Sequence, residues 1–400
     1  MKRSSATLLI TLTGRDRPGV TSRLFSVLAA HPLTVADMEQ VVIRGRLILG
    51  VLLTCDGPLD LTVAHREVMA VATDLGMEAE ITMGTGNGAD GGALRRGQLH
   101  VTVLGSPLLP SAIAAIAGRI AAGGANIDRI GRLAHYPVTC IELDVSGADP
   151  GSLRAVLSRE AVTQQVDVAV QRGGLYRRAM RLVVMDVDST LVQGEAIELL
   201  AQHAGCAEQV AEVTASTMRG EIDFETALRE RVALLKGLDS SVLDDVRKEL
   251  RLTPGARTLI RTLKRLGYRC GIVSGGFEQI TDMLVERLGI DYSAANRLEV
   301  ADGTLTGRLS GPVIDRAGKA RVLAQFAGQA DVPLSQTVAI GDGANDLDMI
   351  TAAGLGVAFN AKPVVRDAAD AAVNVPYLDA ILYLLGISRD EVEAADAEDA

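Results

Sequence analysis

From Met180 onward five short apolar runs recur, in the segments LVVMDVD, YRCGIVSG, TVAIGD, LGVAF and AAVNV, separated by stretches of helical period. No other pattern in the chain restricts the fold as much. A half-exposed strand alternates apolar and polar side chains, whereas a continuously apolar one must be covered on both faces, as in a parallel sheet flanked by helices. Strands alternating with helices predict a doubly wound α/β domain, whose ligands bind at the carboxyl ends of the strands. Three polar motifs lie at such ends: DVDST, SGG and GDGANDLD.

In the first motif Asp186 and Asp188 stand two apart, and extended residues two apart point the same way. Two carboxylates in one cleft repel unless a cation lies between them or one is protonated. Taken alone, DxD fits an Asx-turn closing a strand equally well. The motif GDGANDLDM puts Asp342 at another strand end, with Asp346 four residues on. Taken alone it fits a surface turn or a calcium loop, and the EF-hand spacing with its distal Glu is missing. Carboxylates without His or Cys partners suit a hard cation such as Mg2+. In GIVSGGF, Ser274, Gly275 and Gly276 offer a hydroxyl and closely approachable backbone N–H groups, a cradle for phosphate or an ordinary strand-to-helix turn. Lys319, near a helix start in DRAGKARVLAQF, is either a solvated lysine or the partner of a phosphoryl oxygen and a crowded carboxylate. The phosphate loop GxxxxGK[ST] is absent, which argues against a nucleoside-triphosphate machine of that type.

As an ordered set, DxDST, SGG, Lys and GDGxND resemble the haloacid dehalogenase-like hydrolases, from Leu182 to about Leu385. The resemblance implies that Asp186 is a nucleophile forming an aspartyl-phosphate and that Asp188 is a general acid, then a base. It implies that Asp186, Asp342 and the backbone carbonyl of Asp188 hold Mg2+. Ser274, Gly275 and Lys319 would hold the phosphoryl group, with Asn345 and Asp346 supporting the metal shell and the lysine. Ion-pumping ATPases of this superfamily carry threonine where Asp188 stands, so the acid favours a phosphatase or mutase.

Glu195 to about Leu252 is charged and helix-patterned, and reads as a helical cap inserted after the first strand. Caps of this kind close over substrate and exclude water. The stretches DVDSTLVQGE and TMRGEIDFETALRERVALLKG resemble the branch of the superfamily that hydrolyses phosphoserine. That resemblance implies that Glu195 contacts a substrate ammonium, that Arg231 grips its carboxylate through a planar fork of donors, and that Met218 and Phe224 form an apolar wall. From the residues alone, Arg231 fits a solvated helix charge and the two apolar residues fit core packing. Two rival readings are an enzyme for another small phosphomonoester and an amino-acid sensor with a vestigial hydrolase domain.

The N-terminal part is duplicated. Aligning Gly14 with Gly105 places Asp37 on Asp128 without a gap. Each copy reads as an alternating strand ending at glycine, a proline-containing loop, an amphipathic helix and further strands, a βαββαβ order of ferredoxin-like α+β type. The residues fit a small-molecule sensor or a plain oligomerisation module. With TGRDRPGV in the first copy, they resemble ACT domains, which implies amino-acid sites bordered by Asp16, Gly19, Gly105, Asn126 and Asp128, with serine a candidate effector and a homodimer the expected assembly. Asp16 lies where it could cap a helix or receive an ammonium. The second copy, LGSPLLPSA, lacks the Asp and the Pro-Gly.

The expected domains are thus residues 1–84 and 98–172, joined by a glycine-rich linker at 85–97, then a catalytic domain at 181–400 with an acidic tail from Asp390. The net charge of −10 argues against general nucleic-acid or anionic-membrane binding. Cys55, Cys140, Cys206 and Cys270 form no CxxC pair, and the five histidines show no HxxxH or HExxH, so no disulfide framework or zinc site is expected. The first residues lack a cleavage pattern, and the apolar runs fall short of the ~20 residues that span a bilayer. A cytoplasmic protein is the expectation.

Overall fold

The computed structural model describes residues 6–55, 61–85, 98–219 and 221–398. Most of the linker expected at 85–97 lies outside the described residues. The chain divides into two compact units, Met1–Arg95 and Arg96–Ala400.

In the first unit, strands β1 (Ala6–Arg15), β2 (Leu33–Ile43), β3 (Arg46–Cys55) and β4 (Glu78–Thr85) form an antiparallel sheet in the order β2-β3-β1-β4. Side chains along β3 alternate between outward and buried positions. Leu47, Leu49, Val51 and Leu53 meet Ile10 and Leu12 of β1 beneath the helices Val20–Leu28 and Leu61–Asp74. This is the predicted α+β unit. Of the two roles open to Asp16, the helix cap is not taken: Gly19 occupies that position at φ 92, with no side-chain capping bond, and Asp16 lies exposed in the loop ahead. The left-handed turn at Gly19 takes the chain into the helix without a capping side chain.

The second unit contains an eleven-stranded sheet. Strands β5 (Leu99–Gly105), β6 (Asn126–Ala134), β7 (Thr139–Ser146) and β8 (Asp167–Arg172) repeat the α+β pattern. The catalytic part contributes β9 (Leu182–Asp186), β10 (Arg269–Phe277), β11 (Tyr292–Ala301), β12 (Thr304–Ser310), β13 (Thr337–Gly341), β14 (Leu355–Phe359) and β15 (Ala371–Val373). The full order is β12-β11-β10-β9-β13-β14-β15-β8-β5-β7-β6. Every residue of β9, β13 and β14 is buried, as continuous apolar strands require. Neighbours from β11 through β15 pair in parallel.

The second α+β layer and the catalytic sheet are continuous. β8 pairs with β15 through Ala169 and Ala371, and the Asp167 carboxylate accepts both the backbone N–H and the Nδ2–H of Asn374. Arg154 donates to Asp370. Buried Arg177 donates to Glu142 and to the carbonyls of Leu384 and Tyr383.

The predicted cap is present as helices Ala196–Ala204, Ala207–Met218, Phe224–Ala233 and Val242–Glu249. An additional element, the β11–β12 hairpin, extends the sheet. It turns at Asp302 and Gly303, both at positive φ, the pairing that tight hairpin turns favour. The hairpin clasps the rear of the cap: Gly237 N–H donates to Leu305 O, Leu305 N–H to Leu238 O and Ser240 N–H to Gly303 O. Among the described residues, no helix is long and apolar enough to cross a membrane.

Candidate active site

β9 lies between β10 and β13, and their carboxyl ends bring the three polar motifs together. Asp186 is the last residue of β9 and pairs with Val273, which places Ser274 one residue further along β10. Asp342 directly follows β13. After Asp186 the chain turns sharply, with Ser189 in the left-handed region at φ 59 and its N–H donating to Gly194 O. Such a conformation is uncommon outside glycine and is held by its surroundings.

Lys319, 1% exposed, donates from Nζ to Asp186 Oδ1 and to Asp346 Oδ1, each at 2.6 Å. Asp346 Oδ2 accepts the N–H groups of Asp342 and Gly343, so both its oxygens are engaged and it serves as a brace. Burial alone would lower the Lys319 ammonium, but the Asp186 and Asp346 carboxylates outweigh it and hold the group raised and charged. Burial, then the Asp346 carboxylate, push Asp186 upward; Lys319 pulls it back. Asp342 is pushed up to about 6 by burial, then by Asp346, with an opposing hydrogen bond from Thr190 Oγ1 at 3.1 Å. Oxygens of Asp186, Asp342 and Asp346 lie within 4.8 Å of one another. Their negative charge exceeds that of the buried lysine, and the donors are all oxygen, so the cluster fits a hard divalent cation.

Asp188 lines the same cavity as Asp186. Its Oδ1 accepts Ala196 N–H, at the start of the cap, and its Oδ2 accepts the Ser274 hydroxyl, both at 2.9 Å. Ser274 Oγ in turn accepts Gly276 N–H at 2.7 Å. Both glycines lie close to neighbouring side chains. A Cβ at Gly276 would lie 2.8 Å from Asp188 Oδ2, and one at Gly275 3.0 Å from the Phe224 ring.

Above this floor is a cavity of about 570 Å³. Asp186, Asp188, Asp342, Gly275, Gly276 and Asn345 line its catalytic side, and Glu195, Phe224, Leu228 and Arg231 its cap side. Arg231 is buried; its Nη1 is 3.5 Å from Glu195 Oε2, and its Nε has no partner among the described residues. Burial, then Asp188, push the Glu195 carboxyl upward, and Arg231 opposes them. The Met218 side chain lies outside the described residues.

Sequence reasoning missed Thr190, although it stands in the DVDST motif, and also Thr214, Thr217, Arg316 and Lys362, which line the cavity. The last four carry no local signal, because only folding brings them to the cavity. Away from this site, Asn126 Nδ2 donates to Asp128 Oδ1 on β6, and Gly105 ends β5 against Leu108. Asp16 and Gly19 belong to the first unit.

A parallel sheet with this cap, with Asp186 and Asp342 at its strand ends and Lys319 reaching Asp186 from a helix, defines a haloacid dehalogenase-like hydrolase. The chain matches that family over residues 183–351, and ACT domain families over 6–82 and 98–171. It is 62% identical to a phosphoserine phosphatase of Streptomyces coelicolor, covering 98% of this chain and 94% of the relative. It is 52% identical to one of Mycobacterium tuberculosis, covering 99% and 97%. The crystal structure of a probable phosphoserine phosphatase from Vibrio cholerae superposes with a TM-score of 0.59 at 34% identity, covering 75% of this chain and 90% of that one. The chain belongs to the phosphoserine phosphatases, with two ACT domains ahead of the catalytic domain.

Proposed function

We propose that the protein hydrolyses O-phospho-L-serine to L-serine and phosphate. The observation that carries this reading is one cavity shared by two sets of groups. Asp186, bonded to the buried Lys319, lines one side, and the Glu195–Arg231 pair lines the cap side. A phosphomonoester with an ammonium and a carboxylate is complementary to both sets. Arg231, with an unpartnered Nε, would take the carboxylate; Glu195 would take the ammonium; Phe224 and Met218 would close the apolar side.

Asp186 would attack phosphorus and form an aspartyl-phosphate, dividing one displacement into two. Asp188 would protonate the leaving serine oxygen, then take a proton from the incoming water. Its existing bonds to Ala196 N–H and the Ser274 hydroxyl support that aim. Lys319, Ser274 and the Gly275–Gly276 backbone would stabilise charge on the phosphoryl oxygens. Asp186, Asp342 and the Asp188 carbonyl would hold Mg2+, which when bound offsets the carboxylate charge and polarises the phosphoryl group. Asn345 and Asp346 would brace this arrangement. The ACT domains would bind an amino-acid effector such as serine near Asp16, Gly19, Gly105, Asn126 and Asp128, in a homodimer, regulating the last step of serine synthesis.

The test compares phosphoserine, phosphothreonine and p-nitrophenyl phosphate. Preference for a substrate without an amino-acid head group would refute the roles given to Glu195 and Arg231. Full activity in Asp186→Asn would remove the nucleophile. Calorimetry with L-serine on wild type and Gly19→Val tests the effector site, and absence of binding to both would eliminate it.

A further inference from the structure

We infer that Asn296 is a positioning residue for phosphoryl transfer, fixing the Gly275–Gly276 peptide and joining it to the segment that presents Lys319. This rests on the proposed role of those two elements in holding phosphate.

Asn296 lies on β11, away from the cavity lining, and is 2% exposed. Its Nδ2 donates to Gly275 O at 2.9 Å, and its Oδ1 accepts Ile314 N–H at 2.8 Å. The Gly275 carbonyl and the Gly276 N–H belong to one planar peptide group, so holding the carbonyl end sets the direction of the N–H. That N–H meets Ser274 Oγ, whose hydroxyl meets Asp188. Neither glycine has a side chain to lock the peptide, since a Cβ would strike Phe224 or Asp188. Ser274 Oγ holds the N–H end of that peptide from within the SGG segment, and Asn296 holds its carbonyl end from outside it.

The other arm of Asn296 reaches Ile314. The next residue, Asp315, accepts Gly318 N–H at 2.6 Å and caps the helix Arg316–Gln329, which carries Lys319 in its first turn. One buried amide thus spans the SGG loop and the lysine helix. The position requires a donor and an acceptor on the same short side chain, which Asn supplies and an aliphatic residue does not.

The test uses the full chain. Wild-type turnover of phosphoserine and p-nitrophenyl phosphate is measured first and tests the substrate reading by itself. The variants are then compared on whichever substrate is turned over, so the two ideas fail separately. Deleting a transition-state donor outright costs about 10²–10³ in kcat; misaligning one in Asn296→Leu is expected to cost roughly tenfold, with KM changed less than about threefold. Asn296→Asp tests the Gly275 arm specifically and remains informative if the leucine variant does not fold. A neutral acid can donate to Gly275 O and accept from Ile314, whereas a carboxylate cannot donate. The kcat of Asn296→Asp relative to wild type is therefore expected to rise at least about threefold from pH 8 to pH 6. A leucine variant with wild-type kcat, or an aspartate variant with a low ratio independent of pH, would overturn the inference.

Discussion

Replacing Lys319 with Met removes the ammonium and keeps most of the side-chain volume. Asp186 and Asp346 each lie 2.6 Å from Nζ, and both are almost fully buried. Their facing oxygens are therefore at most about 5 Å apart, and at an effective dielectric of ~20 their repulsion is roughly 3 kcal/mol. Removing one partner of a buried ion pair costs about 3–5 kcal/mol in general, so the two routes agree. In the wild type the lysine is raised, so its contribution is complete at neutral pH and lost only above its ordinary value of about 10.4. In the variant, Asp186, already pushed upward by burial, rises further. The folded variant then binds a proton that the unfolded chain has released, so its deficit shrinks as pH falls from about 8 to 5. Urea unfolding of the second unit at both pH values measures this. Adding Asp346→Asn removes the repulsion while keeping an oxygen for the Asp342 and Gly343 N–H groups, and is expected to restore at least about half of the loss without restoring catalysis. A deficit under about 1 kcal/mol, or one that grows toward acid, would refute the electrostatic account.

Gly276→Ala puts a methyl 2.8 Å from Asp188 Oδ2, and is expected to lower kcat about 100-fold while shifting Tm by only a few degrees, read by steady-state kinetics and calorimetry. Arg231→Met should raise KM for phosphoserine about 100-fold and leave p-nitrophenyl phosphate turnover within about threefold; equal losses on both substrates would argue for a purely structural arginine. Because Asp342 sits at about 6, Mg2+ must displace a proton below that pH. Its apparent affinity should therefore weaken by up to about tenfold per unit from pH 6 to pH 5, measured by titrating activity with the metal.

Much of the candidate site was legible because three of its motifs lie at strand ends. DxD, SGG and GDGAND each follow an apolar run, and parallel pairing brings consecutive ends together. The duplicated α+β units were legible from alternation and from the repeat. Other features depend on contacts distant in sequence. The β8–β15 junction involves a three-residue strand, AAV, and no local pattern says which edge it meets. Asn296 reads as an ordinary polar residue in a half-buried strand until Gly275 and Ile314 are placed beside it. The β11–β12 hairpin did carry a signal, Asp-Gly between Val300 and Leu305, which the helix-strand alternation around it obscured. Of the two roles the sequence left open for Asp16, the cap falls to Gly19 instead, at positive φ.

The continuity of the sheet across Ala169 and Ala371 bears on how the enzyme can be divided. A fragment beginning at Arg181 would keep every residue of the candidate active site and still be an incomplete body. β15 would become an open edge with unpaired backbone groups, the kind of surface that recruits strands from other molecules. Asn374 would lose Asp167, and the carbonyls of Tyr383 and Leu384 would lose the Arg177 guanidinium. The second ACT domain therefore acts as a molecular bung as well as a candidate sensor, and trimming the chain to its catalytic residues would yield a fragment prone to self-association.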